Sequence, residues 1–188
     1  MFCVFLGWHL SGGWVFLFWP WPCHKRGYLS TGDGRESNAF RHAMWQGQIT
    51  NEFSASTAAD FGNAHEMNPN ADLGQMTFAG KDALDQADMH VDLLNNIIGR
   101  EIGDQNKGLG MRDLAIKVLD RFATKGLWTA QKQKDGSYKI SLTKITSTKY
   151  SQLKNRFMQL NDNGRTKKGQ EEADKRQREI DSQRREMN

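Results

Sequence analysis

Three short polar stretches carry the residue types that can do chemistry. They are Asn38-Ala39-Phe40-Arg41-His42-Ala43-Met44-Trp45, then Ala64-His65-Glu66, then Asp92-Leu93-Leu94-Asn95-Asn96-Ile97-Ile98-Gly99-Arg100. Two imidazoles and a carboxylate, His42, His65 and Asp92, suit a zinc-like divalent ion that keeps a position open for water. Thiolate ligands are excluded from this part of the chain, because the two cysteines are Cys3 and Cys23. Glu66, beside His65, is then the expected general base on metal-bound water. Arg41 and Arg100 are the cations expected to hold an anionic group such as a phosphate. Asn95 or Asn96 is a further ligand, or donates hydrogen bonds to the ligands. Asp88 lies one helical turn before Asp92 and belongs to the same surroundings. A non-catalytic reading stands beside this one: histidines, arginines and carboxylates at the edges of packed helices also tie those helices together. No HExxH motif is present, since His65-Glu66 runs into Met67-Asn68-Pro69 and a helix cannot pass through that proline.

Each stretch must be held by a helix. Ser37 or Asn38 is expected to cap a first helix running to about residue 54, with Phe40, Met44 and Phe53 at helical spacing. A second helix is expected over about 57–67, ended by Asn68-Pro69-Asn70. A third, over about 81–102, carries the stripe Leu84, Ala87, Val91, Leu94 and Ile98. A fourth spans about 111–125 and stops at Gly126. The period then changes from helical to alternating. Residues 127–133 and 138–145 read as strands joined by a turn at Asp135-Gly136. A last helix is expected near 150–160, with Tyr150, Leu153, Phe157 and Leu160 inward. The fold class is therefore mainly α: a compact helical domain of four to five helices with one β-hairpin, spanning 37–161.

The ends differ from the domain. Residues 1–22 contain no Lys, Arg, Asp or Glu, and Lys25 and Arg26 follow closely. That length suits a membrane span, whose flanking cations would keep the following domain in the cytoplasm. Ser11, Gly12, Gly13, Pro20 and Pro22 suit instead an apolar remnant, left by truncation or by loss of an upstream packing partner. Residues 1–26 are set apart on this ground, and 27–36 read as a turn-rich linker. Residues 162–188 hold 8 Lys or Arg and 7 Asp or Glu, so this tail is a disordered segment or a lone charged helix. The net charge of +4 is spread along the chain, and the run from Asp82 to Asp104 is acidic. A nucleic-acid binder gathers its positive charge into a stripe, so no strong nucleic-acid signal is present.

The blocks NAFRHAMW, AHE and DLLNNIIGREIG resemble a family of bacterial domains with the pattern N-A-F-R-H-A-x-W, A-H-E and M-D-L-x-N-N-x-x-G-R. The likeness covers about residues 37–125, with Val91 standing where Met is common. Domains of that family sit at the C-terminal tips of Rhs-type and other polymorphic toxins and of wall-associated proteins. The resemblance implies that Asn38, Arg41, His42, His65, Glu66, Asp92, Asn95, Asn96 and Arg100 act together. It also implies a cognate immunity protein as partner, and delivery to another cell as an alternative to a membrane-anchored location. Two functions follow from the residues and the resemblance. One is a metal-assisted hydrolase of a phosphate-bearing substrate, acting as an effector tip. The other is a non-enzymatic binding or structural module.

Overall fold

The computed structural model describes residues 9–10, 13–14, 34–66 and 68–187. Among these the chain forms six helices and two small antiparallel sheets. Strands β1 (His9–Leu10) and β2 (Gly13–Trp14) pair with each other. The rest of the apolar segment expected to span or approach a membrane lies outside the described residues, as do Lys25 and Arg26. Among the described residues no helix is long and apolar enough to cross a membrane.

Helix α1 (Glu36–Glu52) begins earlier than the capping argument placed it. Its N-cap is Arg35, which makes no side-chain cap. The side chain of Asn38, one of the expected caps, is spent on longer-range contacts. Helix α2 (Ala55–His65) is capped by Ser54, whose side chain accepts from the Thr57 amide. It ends at His65, two residues before the expected limit, and Glu66 follows in extended backbone. Helices α3 (Ala83–Gln105) and α4 (Met111–Thr124) fall close to their expected bounds. The apolar stripe of α3 is buried at Ala87, Val91 and Ile98, and α4 buries Leu114, Ala115, Val118, Leu119 and Phe122.

What places the polar blocks side by side is the seam between α1 and α3. A Cβ on Gly99 would lie 2.2 Å from the Ala43 carbonyl oxygen, and one on Gly103 would lie 2.3 Å from that of Gly47. No real Cβ makes such contacts, so the two helices touch backbone to backbone. Small residues at four-residue spacing, Ala39, Ala43 and Gly47 on one side and Gly99 and Gly103 on the other, make this possible. The close approach sets His42 of α1 directly against Asp92 and Asn96 of α3. Gly62 does the same for α2: its Cβ would come within 2.8 Å of Gln46 Nε2 and 3.3 Å of Asn96 Nδ2.

The hairpin forms as expected from β4 (Leu127–Lys132) and β5 (Tyr138–Thr143). Gly136 in its turn has φ +86°, and Asp135 accepts hydrogen bonds from the amide and hydroxyl of Ser137. A third strand, β3 (Thr77–Phe78), adds to the free edge of β5. The sheet's buried side chains, Phe78, Ala130 and Ile140, pack on Ala83, Ala87 and Val91 of α3. Helix α5 (Ser147–Phe157) closes the larger core with Leu153 and Phe157. The charged tail forms helix α6 (Lys167–Glu186), which buries no residue. The lone-helix alternative for the tail is therefore the one observed.

Candidate metal centre

Asn38, Arg41 and His42 lie on the first turns of α1, His65 closes α2 with Glu66 just beyond it, and Asp88, Asp92, Asn95, Asn96 and Arg100 lie along α3. His42 is at the centre and is buried. Its Nδ1 lies 3.1 Å from Asn96 Oδ1. Its Nε2 lies 3.3 Å from an Arg41 guanidinium nitrogen and 3.2 Å from Asp92 Oδ2. Arginine can only donate, so Nε2 is the acceptor there, and Nδ1–H is donated to Asn96. The imidazole thus turns its Nε2 lone pair toward Arg41, with Asp92 Oδ2 close by on the same side.

His65 stands across from it. The two imidazole centroids are 6.0 Å apart, and Trp45 sets its ring at a T-shaped angle to both. Among the described residues, His42, His65 and Glu66 form a group of three whose ligand atoms all lie within 4.8 Å of one another. A tetrahedral zinc ion with bonds of ~2.0–2.2 Å separates its ligand atoms by ~3.3–3.6 Å, so the widest gap among the three must close by at most ~1.5 Å. This differs from the expected set. Glu66 takes the place beside the two histidines given to Asp92 in the sequence reading, and Asp92 instead meets His42.

Electrostatics favour the ligand forms of the two histidines. Burial, the charge of Arg41 and then His65 lower the pKa of His42 to about 3, against the opposing hydrogen bond that His42 donates to Asn96. Burial and Arg41 also lower that of His65. Both imidazoles are neutral at pH 7, as metal binding requires. Glu66 moves the other way: burial and the nearby Asp88 carboxylate raise it to about 7, with Arg41 opposing. Its Oε1 is buried and accepts no hydrogen bond.

The other expected residues divide into two groups. Asn38 joins the acidic side of the cluster, donating from Nδ2 to Asp88 Oδ1 at 2.9 Å and to Asp92 Oδ1 at 2.7 Å, while its Oδ1 accepts from Arg41. Asp88 also accepts from the Gly34 amide, which ties the entry of the chain to α3. Asn95 points elsewhere: its amide pairs with both the N–H and the C=O of Trp128, and so fastens β4 to α3. Arg100 donates to Gln46 Oε1 at 3.0 Å, and burial lowers its pKa. It is thus paired to a buried side chain, where an anion-holding role was expected. The sequence reading missed Gln46 and Gly62. Gln46 is fully buried yet polar, and its position four residues after His42 on α1 is the signal that could have found it. The donors Gln46 Nε2 and Asn96 Nδ2 are buried without a hydrogen-bond partner.

The fold and site define a small helical domain with a histidine–carboxylate cluster where three helices meet. The chain belongs to the DUF6973 family, described as a domain of unknown function, whose family model matches residues 23–126. That span is more than half of the chain and contains every residue of the cluster. No curated protein and no solved structure matches the chain.

Proposed function

We propose that this domain is a metal-assisted hydrolase in which His42, His65 and Glu66 hold a divalent, zinc-like ion. The observation that carries the reading is Glu66. Its half-buried carboxyl has a pKa raised to about 7 and an Oε1 without a hydrogen-bond partner, and it lies within ligand reach of two neutral imidazoles. A cluster that serves only to hold helices together satisfies its buried polar atoms. This one leaves the acceptor Glu66 Oε1 open, which a cation can satisfy, and the donors Gln46 Nε2 and Asn96 Nδ2 open, which suit water or an anionic group. A bound dication would supply an activated water and polarise a phosphoryl oxygen. The chain's own groups do the rest. Asn96 Oδ1 accepts a hydrogen bond from Nδ1–H of His42 and fixes the ring, Asp92 lines the side of Nε2, and the exposed Arg41 offers the charge that an anionic, phosphate-bearing substrate needs.

The resemblance of the three blocks to effector tips supports the wider proposal of a toxin domain with a cognate immunity protein. A second reading, a structural or binding module, is favoured by the buried pairs Asn95–Trp128 and Arg100–Gln46. One set of measurements separates the two. The full chain, the Glu66→Gln variant and the His65→Ala variant are assayed on an activated phosphodiester, bis(4-nitrophenyl) phosphate, with and without chelator, and for growth arrest when expressed in bacteria. The hydrolase reading expects zinc-restored turnover in the full chain alone, with both variants folded and inactive. Metal-free, inert wild-type protein leaves the structural module.

A further inference from the structure

The guanidinium of Arg41 lies against a nitrogen of His42 that a metal would use. It lies 3.3 Å from His42 Nε2, the atom that would ligate a metal, and it is anchored there by donating to Asn38 Oδ1. Asn38 in turn is bonded to Asp88 and Asp92, so the anchor is itself fixed to α3. Arg41 is nevertheless exposed, and the side chain has room to leave.

We infer that Arg41 is a displaceable placeholder, whose guanidinium fills the cation seat of the metal-free protein and swings out when a divalent ion binds. This rests on the metal reading of the same site. The physical reason is simple. With Nδ1–H given to Asn96, His42 Nε2 is an acceptor that lies 3.2 Å from an acceptor oxygen of Asp92, and the guanidinium supplies the donor that Nε2 needs there. It also opposes the metal, since a unit positive charge beside a ligand atom repels a dication even through water. Once expelled, the same exposed side chain would stay tethered next to His42, one residue along α1. That is where an anionic substrate group would arrive.

Cobalt(II) titration of the full chain, followed by visible absorbance with zinc competition, tests this on wild type, Arg41→Met and Arg41→Lys. Met keeps the length without the charge, and Lys keeps the charge without the planar fork. Arg41 lies on an exposed face, and thermal unfolding of each variant confirms that the fold is kept. The inference expects Arg41→Met to bind cobalt about tenfold or more tightly than wild type, with Arg41→Lys between them. It holds equally if only Arg41→Met binds. Equal or weaker binding by Arg41→Met, with wild type binding well, overturns the placeholder and leaves the metal site standing. Binding by none of the three removes the metal site and the placeholder with it.

Discussion

At the scale of single residues, the types of the polar blocks were legible and their partners were not. Imidazole and carboxylate donors on three helices suggested a joint site, and the structure does bring His42, His65 and Glu66 together. Which carboxylate joins the histidines depended on where α2 ends. That end cannot be read to within a residue or two from Asn68-Pro69, since helix limits inferred from pattern are the least secure part of such a reading. Asn95 and Asn96 are adjacent in sequence and looked equivalent. A step of 100° around α3 sends one to the hairpin and the other to His42. Glu66 supplies a pH prediction. Its folded pKa, about 7, lies above the ordinary value of 4.5. The stability this gives is fully present below pH 4.5 and is lost as pH rises through 7. In metal-free protein at pH 8, Glu66→Gln should therefore raise stability, by ~1–2 kcal/mol after allowing for solvent screening of a half-buried group. Urea unfolding of wild type and variant at pH 4 and pH 8 reads this directly, and an unchanged difference between the two pH values would refute it. Asn95 gives the contrasting case. Asn95→Ala should destabilise by ~2–3 kcal/mol, through two lost bonds to the Trp128 backbone, with metal affinity retained.

At the scale of elements, helical periodicity recovered α1, α3 and α4, and the Asp135-Gly136 signal recovered the hairpin. Two kinds of feature escaped. Strand β3 has only two residues, too few for any alternation to show, and it exists because β5 has an edge to offer. The α1–α3 seam was written in glycines and alanines, which carry no apolar signal and read as neutral in a hydrophobic stripe. Yet that seam decides whether His42 reaches Asp92. Gly99→Ala places a methyl 2.2 Å from the Ala43 carbonyl oxygen, and a backbone atom in a helix cannot step aside. The variant should lose ~2–4 kcal/mol of stability, at or above the usual range for overpacking. It should also weaken metal binding more than an equally destabilising change in the α4–α5 core, such as Leu153→Ala. Paired thermal unfolding and cobalt titration of the two variants checks this, and equal metal affinities would mean the seam does not position the site.

At the scale of the whole molecule, composition marked out the domain and its tail. The residues of 167–186 cannot bury a core, and the helix they form buries none of its side chains. Ending the chain before α6 should change the stability of the remainder by less than ~1 kcal/mol, as expected of surface changes away from packed features, and chemical denaturation of the shortened protein measures it. What composition could not reveal is how the polar residues divide. Asn95, Arg100 and Gln46 hold the helices and hairpin together, while His42, His65 and Glu66 gather at the same junction, with Glu66 Oε1 buried and lacking a hydrogen-bond partner. The central claim is that these three side chains hold a divalent ion. X-ray absorption at the zinc edge of the zinc-loaded full chain tests it most directly. The account predicts one zinc per chain, with two imidazole nitrogens at ~2.0–2.1 Å and carboxylate and water oxygens completing four-coordination, and loss of one imidazole in His65→Ala. Zinc that fails to bind in stoichiometric amount, or that shows an all-oxygen shell unchanged in His65→Ala, would contradict it.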